Sequence, residues 1–155
     1  MIAIGSLINK LKNIFGRFMG NYFCKVYYED TDAGGIVYYA NYLKYLERAR
    51  TESLGTIGLF QNKIKDQLNL IFVVRSIFAE YIKPAKLDDI LEVTTNFIKL
   101  GMVSIVVEQE IFLNKKKIFG AKVKLGIIDL NGKPKKLPSP IQLKLDNLLK
   151  NSIKI

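Results

Sequence analysis

Four consecutive segments alternate apolar and polar residues with a period of two, over about 71–82, 89–100, 102–113 and 117–129. In the last of them Phe119, Ala121, Val123, Leu125 and Ile127 alternate with Gly120, Lys122, Lys124 and Gly126. Successive strand residues point to opposite faces, so the pattern specifies antiparallel strands with one packed face and one wet face. Asn114-Lys115-Lys116 and Leu100-Gly101 supply hairpin turns, and Lys83-Pro84-Ala85-Lys86 a connecting loop. The dry face of such a sheet needs a cover. Upstream, one helix is predicted from about Tyr38 or Asn41 to Leu54, with Tyr42, Leu46, Ala49 and Ser53 on one side, Arg48 spaced to reach Glu52, and Gly55 and Gly58 ending it. A first strand is expected at about Tyr22–Glu29, a loop or short helical piece over 59–70, and a short terminal helix. That last helix has Ser139 as N-cap and Pro140 as its first residue, and carries Ile141, Leu145, Leu148 and Leu149. The expectation is an α+β domain, a five-stranded antiparallel sheet wrapped around one long helix. One helix leaves strand edges and an outer face to manage, so a homo-oligomer, dimer or tetramer, is expected.

With 155 residues the chain suits one domain, taken as residues 21–155. Residues 1–20 differ from it: Ile4, Leu7, Ile8, Leu11, Phe15 and Phe18 recur at helical spacing beside Lys10, Lys12 and Arg17, with no acid. Two readings of this extension stand, a basic amphipathic helix lying on the inner membrane or a stretch preceding a true start at Met19. Its apolar runs are too short to span a bilayer.

Histidine is absent, which excludes Ser-His-Asp and Cys-His nucleophile systems, histidine-ligated metals and an imidazole base. One cysteine, Cys24, forms no intrachain disulfide and no metal cluster, in keeping with a reducing cytoplasm. Acid-base chemistry falls to carboxylate, lysine, tyrosine or water. The net charge is +10, but only Arg17, Arg48, Arg50 and Arg75 are arginine. Scattered lysines without aromatic interleaving argue against nucleic acid and suit a polyphosphate, an acidic carrier protein or an anionic membrane face.

The chemistry concentrates in Tyr27-Tyr28-Glu29-Asp30-Thr31-Asp32-Ala33-Gly34-Gly35-Ile36-Val37-Tyr38-Tyr39-Ala40-Asn41-Tyr42. Three acids meet a Gly-Gly hinge and then a helix start. A carboxylate at such a turn supplies a base or nucleophile, and helix N-terminal amides supply donors to an oxyanion, which suits attack on a carbonyl. Read alone, Asp32 is better taken as a helix or turn cap.

Asp-Thr-Asp-Ala-Gly-Gly, Val-Tyr-x-Ala-Asn-Tyr-Leu and Glu-Arg-Ala-Arg-Thr-Glu together resemble the hotdog-fold acyl-CoA thioesterases, in particular the Tol-Pal-associated group, related to 4-hydroxybenzoyl-CoA thioesterase. A second block, Phe72-Val73-Val74-Arg75, Glu80-Tyr81 and Pro84 to Glu92, is similar in the same order, so the resemblance runs from about Phe23 to Ile141. It implies a dimer with one continuous sheet, active sites at the subunit interface, and Asp32 as the catalytic carboxylate, either nucleophile or general base. Seven residues after Asp32 that group usually has histidine, whereas this chain has Tyr39. Aryl-CoA thioesterase relatives have tyrosine there and use its backbone amide to polarise the thioester carbonyl. The Tyr39 amide is therefore expected to form the oxyanion hole, with the phenol lining the acyl pocket. Gly34 and Gly35 serve the turn, and Glu29 and Asp30 are expected to be solvated or capping. Further substrate contacts are expected from Gly35, Tyr38, Tyr42, Glu47, Lys99 and Ser104, with Lys83 and Lys86 near the CoA phosphates. For Glu47 an ion pair with Arg50, and for Tyr38 and Tyr42 core packing, are the plainer alternatives.

The implied activity is hydrolysis of a short, medium or aromatic acyl-CoA without metal or other cofactor. Acyl carrier protein is a second thioester partner. A degenerate dimer that binds acyl-CoA or scaffolds a membrane complex is the non-enzymatic alternative.

Overall fold

The structure, a computed structural model, describes residues 20–152; the extension expected over 1–20 lies outside them except for Gly20. Five strands form one antiparallel sheet: β1 Asn21–Lys25, β2 Ile71–Tyr81, β3 Ile90–Leu100, β4 Ser104–Leu113 and β5 Lys116–Ile128, in the order β1-β3-β4-β5-β2. The long helix α1 spans Asn41–Thr56, a shorter α2 spans Gln61–Leu68, and α3 spans Ser139–Ser152. The four alternating segments are thus strands, shifted at their ends by one or two residues.

Local chemistry sets the turns. Asn114 and Lys115 both take positive φ, 50° and 64°, which makes the tight β4–β5 hairpin a two-residue loop whose twist matches its strands. Gly55 lies inside the last turn of α1 rather than ending it, and Gly58 at φ +74° receives the stop. At the C-terminal helix the Ile141 and Gln142 amides donate to the Pro138 carbonyl, so the chain enters one residue earlier than the Ser139 cap implied.

The first strand is shorter than expected. It ends at Lys25, and a single 3-10 turn at Tyr28–Asp30 replaces its last residues. The Asp30 carboxylate accepts the Tyr27 amide at 2.9 Å, a bond three residues back that turns the chain out of the sheet.

The core lies between the sheet and α1, with Tyr45, Leu46 and Ala49 of the helix packed in one cluster with Leu91, Val93, Val107, Ile111, Phe119 and Val123. Fully burying side chains of this size stabilises by about 1.5–3 kcal/mol each. Ser53, expected on this face, is only half-buried. A polar link crosses the core. Arg50 donates to Gln109 Oε1 at 2.8 Å, and Gln109 donates to the Leu46 carbonyl and to Thr95 Oγ1, each at 2.9 Å. Burial pushes the Arg50 guanidinium below its usual range, with the nearby Glu47 opposing. Arg50 therefore serves the core, and Glu47 instead accepts a bond from Thr51 Oγ1 at 2.8 Å. Arg48 stands beside the Tyr22 phenol rather than pairing with Glu52; the ion pairs among the described residues are Lys25–Asp88 and Lys117–Glu110.

Helix α1 lies over β1 and β3, and α3 also packs on β3. The far edge is left uncovered. On β2, Val74, Ile77 and Tyr81 are opposite Leu125, Val123 and Phe119 and so share their inner face, yet Val74 stays 53% exposed and Tyr81 48%.

Candidate active site

The site is built from the loop between β1 and α1. The Asp32 amide donates to the Ile36 carbonyl at 2.9 Å, and the Gly35 amide returns to the Asp32 carbonyl at 3.0 Å. Gly35 has φ +76°, a conformation a Cβ would strain. The Gly34 amide donates to Asp32 Oδ1 at 2.8 Å, and a Cβ on Gly34 would come within 3.1 Å of that same oxygen. Both glycines thus hold the Asp32 carboxylate in one position at the surface. The loop is tied to the rest of the molecule through the Val37 amide, 2.9 Å from the Ala85 carbonyl, and a bridge between Ile36 and Lys86.

Asp30 anchors the far side of the loop. It is only 5% exposed. Its carbonyl accepts the Tyr38 amide and Asn41 Nδ2, both at 2.9 Å, so the segment leading to Asp32 is fastened to the start of α1. Burial, and then the Asp30 carboxylate beside it, raise the Tyr45 phenol well above its ordinary range. Of the two expectations for Asp30, capping holds and solvation does not. Asp30 is buried, with Tyr45 of α1 beside its carboxylate.

Asp32, Ile36 and Val37 form one wall of a groove of about 390 Å³, Tyr38, Tyr39 and Tyr42 a second, and Tyr81, Ile82, Lys83 and Pro84 the third. Its floor is aromatic: Tyr42 stacks on Phe119 at 5.1 Å between centroids, and Tyr81 meets both rings edge-on. The Tyr42 hydroxyl accepts the Ala85 amide at 2.9 Å. Burial raises the Tyr42 and Tyr81 phenols above their ordinary range, so both are neutral hydrogen-bonding groups near pH 7. At the helix start the Asn41 amide donates to the Tyr38 carbonyl at 2.8 Å, while among the described residues the Tyr39 amide donates to no acceptor. Asp32, with its anchored carboxylate, and Tyr39, whose amide is uncommitted among the described residues, therefore line one aromatic groove.

The groove brings together Asp32, Tyr38, Tyr39 and Tyr42 with Lys83, and Gly35 shapes it from behind. Glu47, Lys99, Ser104 and Lys86 are not among its lining residues. Ser104 pairs with Gly126, at the end of the sheet where β2 begins, seven residues along β4 from Ile111 and the Tyr81 end. That is a separation of more than about 20 Å within one chain. Tyr81 is the residue that the site reading missed. The sequence placed it in a resembling block, and its strand phase, two residues from the half-buried Ala79, was the available signal. Among the described residues no cluster of His, Cys, Asp and Glu is arranged to hold a metal ion, and no helix is long and apolar enough to cross a membrane.

Comparison with known proteins places this geometry. Residues 34–118 match the model of the thioesterase superfamily. The chain is 42% identical over 120 residues to the acyl-CoA thioesterase YbgC of Haemophilus influenzae, covering 77% of this chain and 88% of that protein. It is 40% identical over 115 residues to the protein of the same name in Helicobacter pylori, covering 68% of this chain and 84% of that one. Among solved structures, a probable thioesterase from Bartonella henselae superposes with a TM-score of 0.74 at 33% identity, over 76% of this chain and 98% of the other. With its sheet, its helices and its sequence all in agreement, the chain belongs to the thioesterase superfamily, as a thioester hydrolase of the hotdog fold.

Proposed function

We propose that this chain hydrolyses acyl-CoA thioesters with Asp32 as its reactive carboxylate and the Tyr39 amide as oxyanion donor. The observation that carries the reading is the meeting of the two in one groove: Gly34 anchors one Asp32 oxygen, and the Tyr39 N–H is uncommitted. The thioester carbonyl carbon is attacked either by the Asp32 carboxylate, giving a mixed anhydride that water then opens, or by water whose proton Asp32 removes. In both routes the carbonyl oxygen gains negative charge facing the Tyr39 amide, and collapse of the tetrahedral adduct expels the CoA thiolate. The Tyr38 carbonyl accepts the Asn41 amide, which polarises the same peptide unit and strengthens its N–H as a donor. A backbone donor does not depend on the side chain, so tyrosine in place of histidine is compatible with turnover.

The groove's aromatic floor suits a short or aromatic acyl group, and Lys83 on its rim suits the phosphates of CoA. Acyl carrier protein presents the same thioester, and the +10 charge favours such an acidic partner as well. The working form is a homodimer formed along β2. That edge is eleven residues long and carries exposed Val74, Ile77, Phe78 and Tyr81, which a second copy would cover. Two β2 edges paired antiparallel about a two-fold axis would lay the Ile71 end of one beside the Tyr81 end of the other. The partner's Lys99 and the partner's Ser104 would then approach this groove, which accounts for their distance from it in a single chain. The enzyme works in the cytoplasm; the membrane contact expected of residues 1–20 lies outside the described residues. Thiol release from acyl-CoA by the chain and by Asp32→Asn tests the reading: retained turnover without the carboxylate would overturn it.

A further inference from the structure

We propose that Tyr81 is a positioning residue for the reaction, holding the turn that presents the Tyr39 amide. The inference rests on the reading of that amide as oxyanion donor. The Tyr81 hydroxyl donates to the Tyr39 carbonyl at 3.0 Å, across 42 residues of sequence. Its ring is fixed by edge-on contacts with Phe119 at 4.9 Å and Tyr42 at 5.5 Å, so the hydroxyl is delivered from a rigid base. The turn from Tyr38 to Asn41 is thereby gripped on two sides. Asp30 holds it against the Asp32 loop through the Tyr38 amide and the Asn41 side chain, and Tyr81 holds it against the sheet. The Tyr39 carbonyl is on the same residue as the donor amide, in the next peptide unit, so holding it limits rotation about the Tyr39 backbone and steadies the aim of the N–H. Donors that need no reorganisation during the reaction are worth most when charge develops.

Packing alone would not explain this residue. Phenylalanine would make the same ring contacts with Tyr42 and Phe119. What the hydroxyl adds is the bond to the turn.

The test is steady-state thiol release from butyryl-CoA and benzoyl-CoA by the full chain, Tyr81→Phe, Tyr81→Ala and Asp32→Asn, with thermal unfolding of each. The expected result for Tyr81→Phe is a kcat about tenfold lower, with KM within about twofold and the unfolding temperature within about two degrees of the parent. Tyr81→Ala should lose at least as much kcat and also raise KM. If Tyr81→Phe restores parental kcat where Tyr81→Ala does not, the ring is the whole contribution and the proposal is overturned. Loss of turnover in Asp32→Asn beside an unaffected Tyr81→Phe would leave the site reading standing and remove Tyr81 from it. Parental turnover in Asp32→Asn would overturn both.

Discussion

Asp30 and Asp32 are two residues apart and chemically identical, yet their surroundings give them opposite work. Asp30 is buried, and its carboxylate and carbonyl are committed to Tyr27, Tyr38 and Asn41. Asp32 is exposed on the groove, with a single anchoring bond from Gly34. A buried acid bonded to its own backbone holds the chain in place, whereas an exposed acid with an oxygen to spare can act on a substrate. The contrast also shows why the loop is rigid where it must be. Asp30 fixes the segment on which Asp32, the proposed reactive acid, is displayed.

Substitutions should separate the two roles, beginning with the largest effect. Asp32→Asn should lower kcat/KM by about a thousandfold, roughly 4 kcal/mol of transition-state stabilisation, while leaving the unfolding midpoint near the parent. Asp30→Ala should do the reverse in kind. It leaves the partly exposed Tyr27 amide without its acceptor and should cost about 0.5–2 kcal/mol by urea unfolding, with activity falling only as the loop loosens. If Asp30→Ala kept full stability, the division between the two acids would be wrong. Gly34→Ala sharpens the point. Its new Cβ would press within 3.1 Å of Asp32 Oδ1 and displace the carboxylate by a few tenths of an ångström, so kcat should fall several-fold, by about 1 kcal/mol, with little loss of stability.

A further effect, on stability alone, concerns pH. Burial pushes the Cys24 thiol up from 9.0 to about 11, and burial also raises the Tyr22, Tyr42 and Tyr45 phenols. Between pH 9 and about 11 the unfolded chain loses a thiol proton that the folded chain keeps. The unfolded state then binds fewer protons, so stability falls as pH rises through that window. A urea midpoint that held constant or rose there would contradict the burial of these groups.

Most of the fold was legible because its sheet has one dry and one wet face, which writes itself into sequence as strict alternation. On β5, Phe119, Ala121, Val123, Leu125 and Ile127 are all buried while Lys122 and Lys124 are exposed. The pattern failed where a side chain bonds its own backbone. Tyr27 and Tyr28 continue a strand-like aromatic run, but the Asp30 carboxylate captures the Tyr27 amide and ends the strand at Lys25. Tertiary burial was equally hidden. Arg50 read as a surface partner for Glu47, and only the packing of α1 on the sheet places Gln109 within its reach. Asp32 and Tyr39 stood out because loop chemistry and a helix start are local features. The places of Lys99, Ser104 and Tyr81 depend on how strands far apart in sequence are set side by side, which no local pattern encodes.

Hydrolysis by a carboxylate and a backbone amide, with no imidazole, is the central claim. The most direct measurement is thiol release from a panel of acetyl-, butyryl-, hexanoyl-, palmitoyl- and benzoyl-CoA by the parent, Asp32→Asn and Tyr39→Phe. The expected outcome is turnover that collapses in Asp32→Asn and stays within about threefold of the parent in Tyr39→Phe, because the phenol is not the donor. Comparable losses in both variants, or undiminished turnover in Asp32→Asn, would contradict it.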